Sequence, residues 1–257
     1  MKNFELKNKV VLITGSSSGI GKAAAAAFAK AGAHLALVAR NEPALQQLRA
    51  ELSGLGNKIE IFPFDLTQVE KIPALIEQVR QRLGAVDVLI NNAGAGMAGL
   101  LEDCPMEEIR ANFNVNFFAP LQLIRAVLPD MKQKKSGQII NLCSGLGRRG
   151  LPGYACYSSE KFAISGLTES LRLETAPWGI DVILVFPGSV SSEFNRRTQF
   201  FGTWKVPQPS VRPQPAEKIG NLILRASQQR LREVSSFGPG MLLGHLNYWF
   251  PDRKSVV

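Results

Sequence analysis

The sequence predicts an α/β protein built on a doubly wound parallel sheet. Short runs rich in Val and Ile alternate along the chain with helix-length amphipathic stretches. The runs are apolar on both faces, as strands are when helices cover both sides of a parallel sheet. The length of 257 residues and the hydrophobic content of 45% fit one large domain of this class. We therefore expect a single domain over residues 1–257.

The elements of this pattern can be placed in chain order. Strands are expected at residues 10–14, 34–39, 58–63, 86–90, 138–142 and 181–186. The helices between them are expected at residues 19–31, 43–52, 68–83, 109–133 and 154–176. A last helix over 216–229 and a short strand near 233–237 follow. Right-handed crossovers would cover both faces of the sheet and leave ligands to bind beyond the carboxyl ends of the strands.

Cysteine and histidine usage argues against a metal site. Cys104, Cys143 and Cys156 form no CxxC pair, and His34 and His245 are the only histidines of the sequence. A structural zinc site is therefore not expected, and we predict no bound metal. The sparse, odd cysteine count fits a reducing cytosol. With no signal peptide or spanning segment recognisable in the sequence, a cytoplasmic protein is expected.

A glycine-rich turn joins the first predicted strand to the first predicted helix. It reads TGSSSGIG from Thr14 to Gly21. In a dinucleotide-binding turn the first glycine allows a sharp bend, the second lets the backbone approach a pyrophosphate, and the third lets the helix pack closely. The helix N-terminus then faces the negative charge. This context predicts a Rossmann-like cofactor site with contacts from Gly15, Ser17, Ser18, Gly19, Ile20 and Gly21.

Two other motifs overlap this turn, and both fail on context. Residues 15–19 match the G-x-S-x-G elbow of hydrolases, but an elbow at Ser17 leaves no upstream strands to build an oxyanion hole. Gly21 and Lys22 match the end of a phosphate-binding P-loop, but the leading Gly and the following Ser or Thr of that motif are missing. Neither a hydrolase nor a P-loop enzyme is predicted.

Further motifs follow in order along the chain. The sequence NNAG at residues 91–94 follows the fourth strand, and Asn116 lies in the long predicted helix. Ser144 ends the fifth strand, YSSEK occupies residues 157–161, and PGSVSS at residues 187–192 follows the sixth strand. Together with the TGxxxGxG turn, this ordered set resembles the short-chain dehydrogenase/reductase family. The family's PGxVxT motif is matched with Ser in place of Thr.

The resemblance implies an oxidoreductase that transfers hydride between a nicotinamide cofactor and a carbonyl or alcohol substrate. The catalytic residues that it implies are Asn116, Ser144, Tyr157 and Lys161. Lys161 would also bind the nicotinamide ribose, and Asn116 would anchor a water that relays protons. Homo-oligomers are usual in the family, so a homo-oligomer is expected. The further cofactor contacts implied are Asp65, Leu66, Asn92, Gly94, Tyr157, Lys161, Pro187, Gly188, Val190 and Ser192.

Tyr157 and Lys161 are spaced for joint chemistry. Four residues apart on a helix, they share one face. A free tyrosine has a pKa near 10 and is a poor acid–base group at neutral pH. A nearby ammonium and a positively charged nicotinamide ring would stabilise the phenolate and lower that pKa. The phenol would then exchange a proton with the substrate oxygen, which Ser144 would hold.

The end of the second predicted strand indicates which nicotinamide cofactor is used. Proteins specific for NAD commonly place an acid there to bond the ribose 2′-hydroxyl. Here that position is Ala39, and Arg40 follows it. A guanidinium can bind a 2′-phosphate through two charge-assisted hydrogen bonds, and no acid is present to reject the phosphate. The sequence therefore predicts NADP(H), although Arg40 could also be an ordinary surface charge.

The net charge of +9 is unevenly placed. Residues 196–232 contain eight Lys or Arg and one acid, Glu217. We favour a solvated face with an electropositive field for an anionic cofactor or substrate over contact with lipid headgroups. No nucleic-acid-binding motif accompanies the charge, so nucleic acid is not an expected partner. The proline-rich loop over 189–215 is expected to lack long regular elements and to contact the substrate.

Residues 239–250 are strongly apolar and aromatic. We favour packing over the substrate cleft or in a subunit interface, and peripheral contact with a membrane is the alternative. In either case the composition suggests an apolar substrate. The competing functions are a non-catalytic NADP(H)-binding regulator and a membrane-surface protein. The intact Ser144, Tyr157 and Lys161 favour the enzyme over the regulator, whereas the membrane-surface protein stays open to a test by liposome co-sedimentation.

Overall fold

The computed structural model describes residues 3–191, 193–203 and 212–237. Its strands are β1 (Val10–Thr14), β2 (His34–Ala39), β3 (Ile59–Pro63), β4 (Val88–Asn91), β5 (Met97–Ala98), β6 (Gly137–Leu142), β7 (Ile180–Phe186), β8 (Gln199–Phe200) and β9 (Glu233–Ser235). Its α-helices are α1 (Gly19–Lys30), α2 (Glu42–Glu51), α3 (Ile72–Leu83), α4 (Met106–Phe113), α5 (Ala119–Lys134), α6 (Ala155–Thr175), α7 (Glu193–Arg197) and α8 (Ala216–Gln228).

Within the described residues, seven strands form one parallel sheet in the order β3-β2-β1-β4-β6-β7-β9. The direction in which successive strands are added reverses beside β1, where β2 lies on one side and β4 on the other. A crevice for a ligand forms at such a reversal, outside the carboxyl ends of the strands. The predicted doubly wound parallel sheet is confirmed, and its strands lie within two residues of their predicted bounds.

The core consists of one apolar layer on each face of the sheet. Along β1, Val11 and Ile13 belong to the layer covered by α1, α2 and α8. Val10 and Leu12 belong to the layer covered by α3 and α5. This alternation follows from the two-residue period of a strand, and it explains why β1 is apolar throughout. Burying each such side chain stabilises the fold by roughly 1.5–3 kcal/mol.

The long helix predicted over 109–133 is not continuous. It is divided into α4, a π-helical segment over Asn114–Phe118, and α5. Pro120 has no N–H to donate to the carbonyl of Asn116, so one bond of the α-helical ladder is missing at this point. Instead, the N–H of Ala119 donates to the carbonyl of Asn114. The proline thus places Asn116 in an irregular turn, as is common at functional sites.

The loop predicted over 189–215 contains short regular elements that the sequence did not predict. Helix α7 lies in it, and β8 pairs in parallel with β5, which follows β4 by only a few residues. Residues 204–211 lie outside the described part of the chain, as do Ser192 and the apolar segment 239–250. Of the helices that the structure describes, none combines the length and apolar character needed to cross a membrane.

Candidate active site

The predicted site residues gather at the carboxyl edge of the sheet. The glycine turn follows β1, and Arg40 follows β2. Asn92 and Gly94 follow β4, Ser144 follows β6, and Pro187 and Gly188 follow β7. Residues spread over most of the sequence thus meet along one edge, because parallel strands all end on the same side.

Close packing explains two glycines of the turn. Gly15 has φ +65°, and a Cβ there would lie 2.9 Å from the Cα of Ala93. A Cβ at Gly21 would overlap the carbonyl oxygen of Gly15. Gly19 also lies in the left-handed region, at φ +53°. Side chains at these positions would strain the backbone or force the turn apart.

The turn is tied to the loop after β4 by hydrogen bonds. The Nδ2 of Asn92 donates to the carbonyl of Thr14 at 2.8 Å and to that of Gly15 at 3.2 Å. The Oγ1 of Thr14 accepts from the backbone N–H groups of Asn92 and Ala93, each at 3.0 Å. These four bonds hold the two loops together directly beside the reversal point of the sheet.

The N-terminus of α1 is suited to an anion. Among the described residues, no side chain caps it, and its first turn carries no acidic residue. Its free N–H groups and the positive end of the helix dipole favour a phosphate group there. Together with the glycines, which leave the backbone accessible, this end of the helix fits the pyrophosphate of a dinucleotide.

Arg40 and Asp65 flank the expected adenosine end of the site. Arg40 is exposed directly after β2, and it forms no ion pair within residues 3–191, 193–203 and 212–237. Its guanidinium therefore has room for a phosphate. The Oδ1 of Asp65 accepts from the backbone N–H of Thr67 at 3.0 Å, and Leu66 is buried. This bond fixes the turn in which both residues lie.

Tyr157 and Lys161 lie one turn apart on α6, and both are buried. The Nζ of Lys161 lies 5.5 Å from the centroid of the Tyr157 ring and donates to the carbonyl of Leu142 at 3.4 Å. Ser144 follows the end of β6, and its Oγ accepts from the backbone N–H of Leu146 at 3.2 Å. The arrangement puts a phenol, an ammonium and a hydroxyl at one point on the edge of the sheet.

The ionisation of Tyr157 differs from the expectation. Its pKa is raised, chiefly by burial and next by the neighbouring Cys143 thiol, while the hydroxyl of Ser144 acts in the opposite direction. Burial also lowers the pKa of Lys161. Removing the phenolate from water costs more than the Ser144 hydroxyl returns, so the pKa of Tyr157 is raised in this structure. The expected lowering depended on Lys161 together with a positively charged nicotinamide ring, and it stays a prediction for the cofactor complex.

Asn116 connects three segments of the site. Its Oδ1 accepts from the backbone N–H of Ala95 at 3.0 Å, and its Nδ2 donates to the carbonyl of Ala95 at 2.8 Å and to the carboxyl of Glu160. A Cβ on the exposed Gly94 would lie 2.9 Å from the Oδ1 of Asn116 and 3.8 Å from the Nζ of Lys161. Gly94, Asn116 and Lys161 therefore converge on one region.

The motif after β7 is held against the end of the last strand. The backbone N–H of Gly188 donates to the Oγ of Ser236 at 2.7 Å. Val190 is buried and forms a parallel bridge with Gln214, which bonds back to Ser236. The loop therefore starts from a fixed point beside the sheet. The predicted contact of Ser192 lies outside the described residues.

Sequence reasoning missed two residues that lie at the site. The centroids of the Phe194 and Tyr157 rings are 6.1 Å apart. A Cβ on Gly96 would lie 3.2 Å from the Phe194 ring. No local pattern predicts this contact, because it depends on the pairing of β5 with β8. Glu160 is fully buried. Its spacing of three residues from Tyr157 on a helix was a visible signal, since such residues share a face.

Known proteins resemble this chain along most of its length. A profile of the short chain dehydrogenase family matches residues 9–200. The chain is 33% identical to a 3-dehydrosphinganine reductase of Danio rerio, over 100% of this chain and 79% of that protein. A short-chain dehydrogenase from Sphingobium yanoikuyae, solved in complex with NADPH, has a TM-score of 0.80 at 28% identity, covering 97% and 98% of the two chains.

A second solved structure matches the fold more closely. A short chain dehydrogenase/reductase from Burkholderia phymatum, solved in complex with NAD, has a TM-score of 0.86 over 99% of both chains. At 23% identity this likeness bears on the fold alone. The structural relatives thus include complexes with NADPH and with NAD. Because the family profile covers far more than half of its length, this chain belongs to the short-chain dehydrogenase family of oxidoreductases.

Proposed function

We propose that this protein is an NADP(H)-dependent oxidoreductase that reduces a carbonyl or oxidises an alcohol, with Tyr157 as the proton donor or acceptor. The observation that carries the proposal is the placement of Tyr157, Lys161 and Ser144 at one point on the carboxyl edge of the sheet. The glycine turn lies along the same edge, beside the reversal point of the sheet. A hydride carrier and a proton donor would therefore meet over one substrate.

The chain's own residues supply the proton chemistry. Because burial raises its pKa, Tyr157 is a protonated phenol at neutral pH and can donate to a carbonyl oxygen. The Ser144 hydroxyl donates a hydrogen bond to the same oxygen. Once bound, the nicotinamide supplies hydride to the carbonyl carbon and, when oxidised, a positive ring charge. Lys161 would then return a proton to Tyr157, and Asn116 would anchor the water that relays it.

Arg40 supports the preference for NADP(H) over NAD(H). It is exposed at the end of β2, where the preceding residue is Ala39 instead of an acid. The guanidinium would bind the 2′-phosphate of the adenosine ribose with two charge-assisted hydrogen bonds. The relative solved with NADPH is consistent with this preference.

The surroundings of Tyr157 favour an apolar substrate. Phe194 lies against its ring, and Met97 packs with Cys156 beside it. Phe237 approaches Gly145, just beyond Ser144. These side chains offer apolar contacts and little hydrogen bonding to the rest of a substrate. The similarity to a 3-dehydrosphinganine reductase, whose name describes a ketone, is in keeping with this choice.

The proposal also covers the location, the assembly and the domain organisation of the protein. We propose a cytoplasmic homo-oligomer in which residues 1–257 form one cofactor-binding domain. Residues 239–250 would pack at the substrate cleft or a subunit interface, and peripheral membrane contact stays the alternative. Co-sedimentation with liposomes, with and without residues 239–257, separates these two outcomes.

Substitution of Tyr157 tests the proposed chemistry. Purified full-length protein is assayed with apolar ketones, steroids, sugars and acyl ketones while NADPH absorbance is followed. We expect turnover of an apolar ketone by the wild type. The Tyr157→Phe variant should bind NADPH normally but lose at least about 100-fold in kcat, as expected when a general acid is removed. Equal turnover by the two proteins would refute the mechanism.

A further inference from the structure

Glu160 places a fully buried carboxyl group inside the candidate site, and the proposed reaction gives it no step. We propose that Glu160 is a positioning residue for the reaction, which fixes the Asn116 amide and places a titratable carboxyl group beside Tyr157 and Lys161. The inference rests on the proposed function, because it concerns the same proton transfer. It adds a residue that lies inside the YxxxK motif at one of its unspecified positions.

The first support is the hydrogen bonding of Glu160. Its Oε2 accepts from the Nδ2 of Asn116, which is itself bonded twice to Ala95. Glu160 therefore joins the helix of Tyr157 to the π-helical segment and to the loop after β4. Without it, one donor of the buried Asn116 amide would lose its bond to the catalytic helix.

The second support is the other carboxyl oxygen. Within the described residues, the Oε1 of Glu160 is buried and has no hydrogen-bond partner. An unsatisfied buried carboxyl oxygen destabilises a fold, so a residue without a functional role is rarely a glutamate at such a place. A glutamine would offer Asn116 an acceptor at the same place without a buried charge. The position thus favours a role for the ionisable group itself.

The ionisable neighbours of Glu160 are few. The facing segments 94–98 and 114–118 contain no ionisable side chain. On α4, which packs against α6, Glu107 and Arg110 are exposed, and Glu108 accepts a hydrogen bond from Gln199. Among the described residues, the ionisable groups that act on Glu160 directly or through one neighbour are Lys161, Tyr157, Tyr154, Cys156, Cys104 and Cys143.

These surroundings let Glu160 change charge near neutral pH. Burial raises its pKa to about 7, while the hydrogen bond from Asn116 and the charge of Lys161 act in the opposite direction. Once ionised, Glu160 raises the pKa of both Tyr157 and Lys161. The charged form of Glu160 thus keeps the phenol and the ammonium protonated. More of each group therefore stays protonated at high pH, which is the form that ketone reduction requires.

The pH profile of ketone reduction tests this role. Full-length wild type, Glu160→Gln and Glu160→Ala are assayed with NADPH from pH 5 to pH 10. The matched control is Glu169→Gln, which removes an exposed carboxylate from the same helix. Glutamine keeps an acceptor for Asn116 and removes only the charge, whereas alanine removes both.

We expect the basic limb of the Glu160→Gln profile to lie about one pH unit below that of the wild type, a tenfold loss of kcat/KM on that limb. Below pH 6 the two rates should converge, because Glu160 is then neutral in the wild type. Glu160→Ala should also lose kcat at low pH, and Glu169→Gln should match the wild type. Superimposable wild-type and Glu160→Gln profiles, with only the melting temperature changed, would overturn the proposal.

Two further measurements keep the outcomes separate. Tyr157→Phe with full turnover refutes the proposed function, whereas an inactive Tyr157→Phe with unshifted Glu160→Gln refutes only the role of Glu160. If Glu160→Gln does not fold, the wild-type carboxyl carbon of Glu160 is titrated by isotope-edited NMR. A midpoint near pH 7 supports the inference, and a midpoint below pH 5 overturns it.

Discussion

The side-chain amide of Asn92 donates to the main-chain carbonyl of Thr14 at 2.8 Å, across the point where the strand order reverses. It bonds the carbonyl of Gly15 as well, so one side chain closes the gap between the glycine turn and the loop after β4. Both loops would have to hold the same dinucleotide. The rigidity of the cofactor site therefore depends on a residue that is three strands away from the turn in sequence.

We expect Asn92→Ala to weaken NADPH binding, because the carbonyls of Thr14 and Gly15 in the turn each lose the hydrogen bond from the Asn92 amide. Losing partners of this kind costs about 1–3 kcal/mol, or roughly 5- to 150-fold in Kd. Fluorescence titration of NADPH measures the change. The control, Asn221→Ala, removes an exposed asparagine on α8 and should bind NADPH as the wild type does. Equal affinities for all three proteins would contradict the role of Asn92.

Gly21→Ala should destabilise the protein. The new methyl group would overlap the carbonyl of Gly15, which is backbone and cannot rotate away. Overpacking of this kind costs about 1–3 kcal/mol, and urea denaturation measures it. Gly166→Ala is the matched control, since a Cβ at this helical glycine meets nothing within 4 Å. It should stabilise the protein by about 0.5–1 kcal/mol, so the two variants should differ in sign.

Arg40→Ala should lower kcat/KM for NADPH by about 10- to 100-fold, because a charge-assisted bidentate contact contributes about 1.5–3 kcal/mol. The value for NADH should change little, since NADH has no 2′-phosphate for the guanidinium to bind. Steady-state assays with both cofactors measure the effect, with Arg49→Ala on the exposed face of α2 as the control. A wild type that prefers NADH would refute the assignment.

Phe194→Ala should change substrate selection without removing the chemistry. The ring lies beside that of Tyr157 and fills the space over Gly96. Its removal should raise KM for small apolar ketones by about 5- to 50-fold through lost apolar contact. The ratio of kcat/KM for bulky ketones to that for small ketones should rise. The exposed Phe200 in the same loop provides the control, Phe200→Ala. An unchanged ratio of kcat/KM between bulky and small ketones would contradict this role.

The stability of the protein should fall as pH rises through Glu160's titration. Its pKa is about 7 in the folded protein against an ordinary value of 4.5, so the folded state binds the proton more tightly. This stabilisation is fully present below about pH 4.5 and is lost as pH rises to about 7. The loss is on the order of 3 kcal/mol.

The comparison of wild type with Glu160→Gln isolates that contribution. Urea midpoints at pH 5 and pH 8 should fall more steeply with pH in the wild type than in Glu160→Gln, which carries no titrating carboxyl. Glu169→Gln should follow the wild type. Identical slopes for Glu160→Gln and the wild type would show that residue 160 does not titrate in this range.

Most of the fold was predictable because it depends on local patterns. The two-sided apolar runs mark buried parallel strands, and β1 shows why: its residues alternate between the two layers of the core. The predicted helix over 109–133 failed at Pro120, although the proline itself was visible. The pairing of β5 with β8 could not be predicted, because two residues carry no period and their partners lie a hundred positions apart.

The sequence by itself determined that the chain forms a parallel sheet and which motif follows each strand. It also determined which residues meet along the carboxyl edge of that sheet. Strand and helix periods and the glycine turn are properties of neighbouring residues, so they can be read in order. Only the tertiary structure decided the direction of the pKa of Tyr157, the contact with Phe194 and the bond between Asn116 and Glu160. Those depend on burial and on partners from distant segments, since the cost of desolvating a charge is set by everything that packs around it.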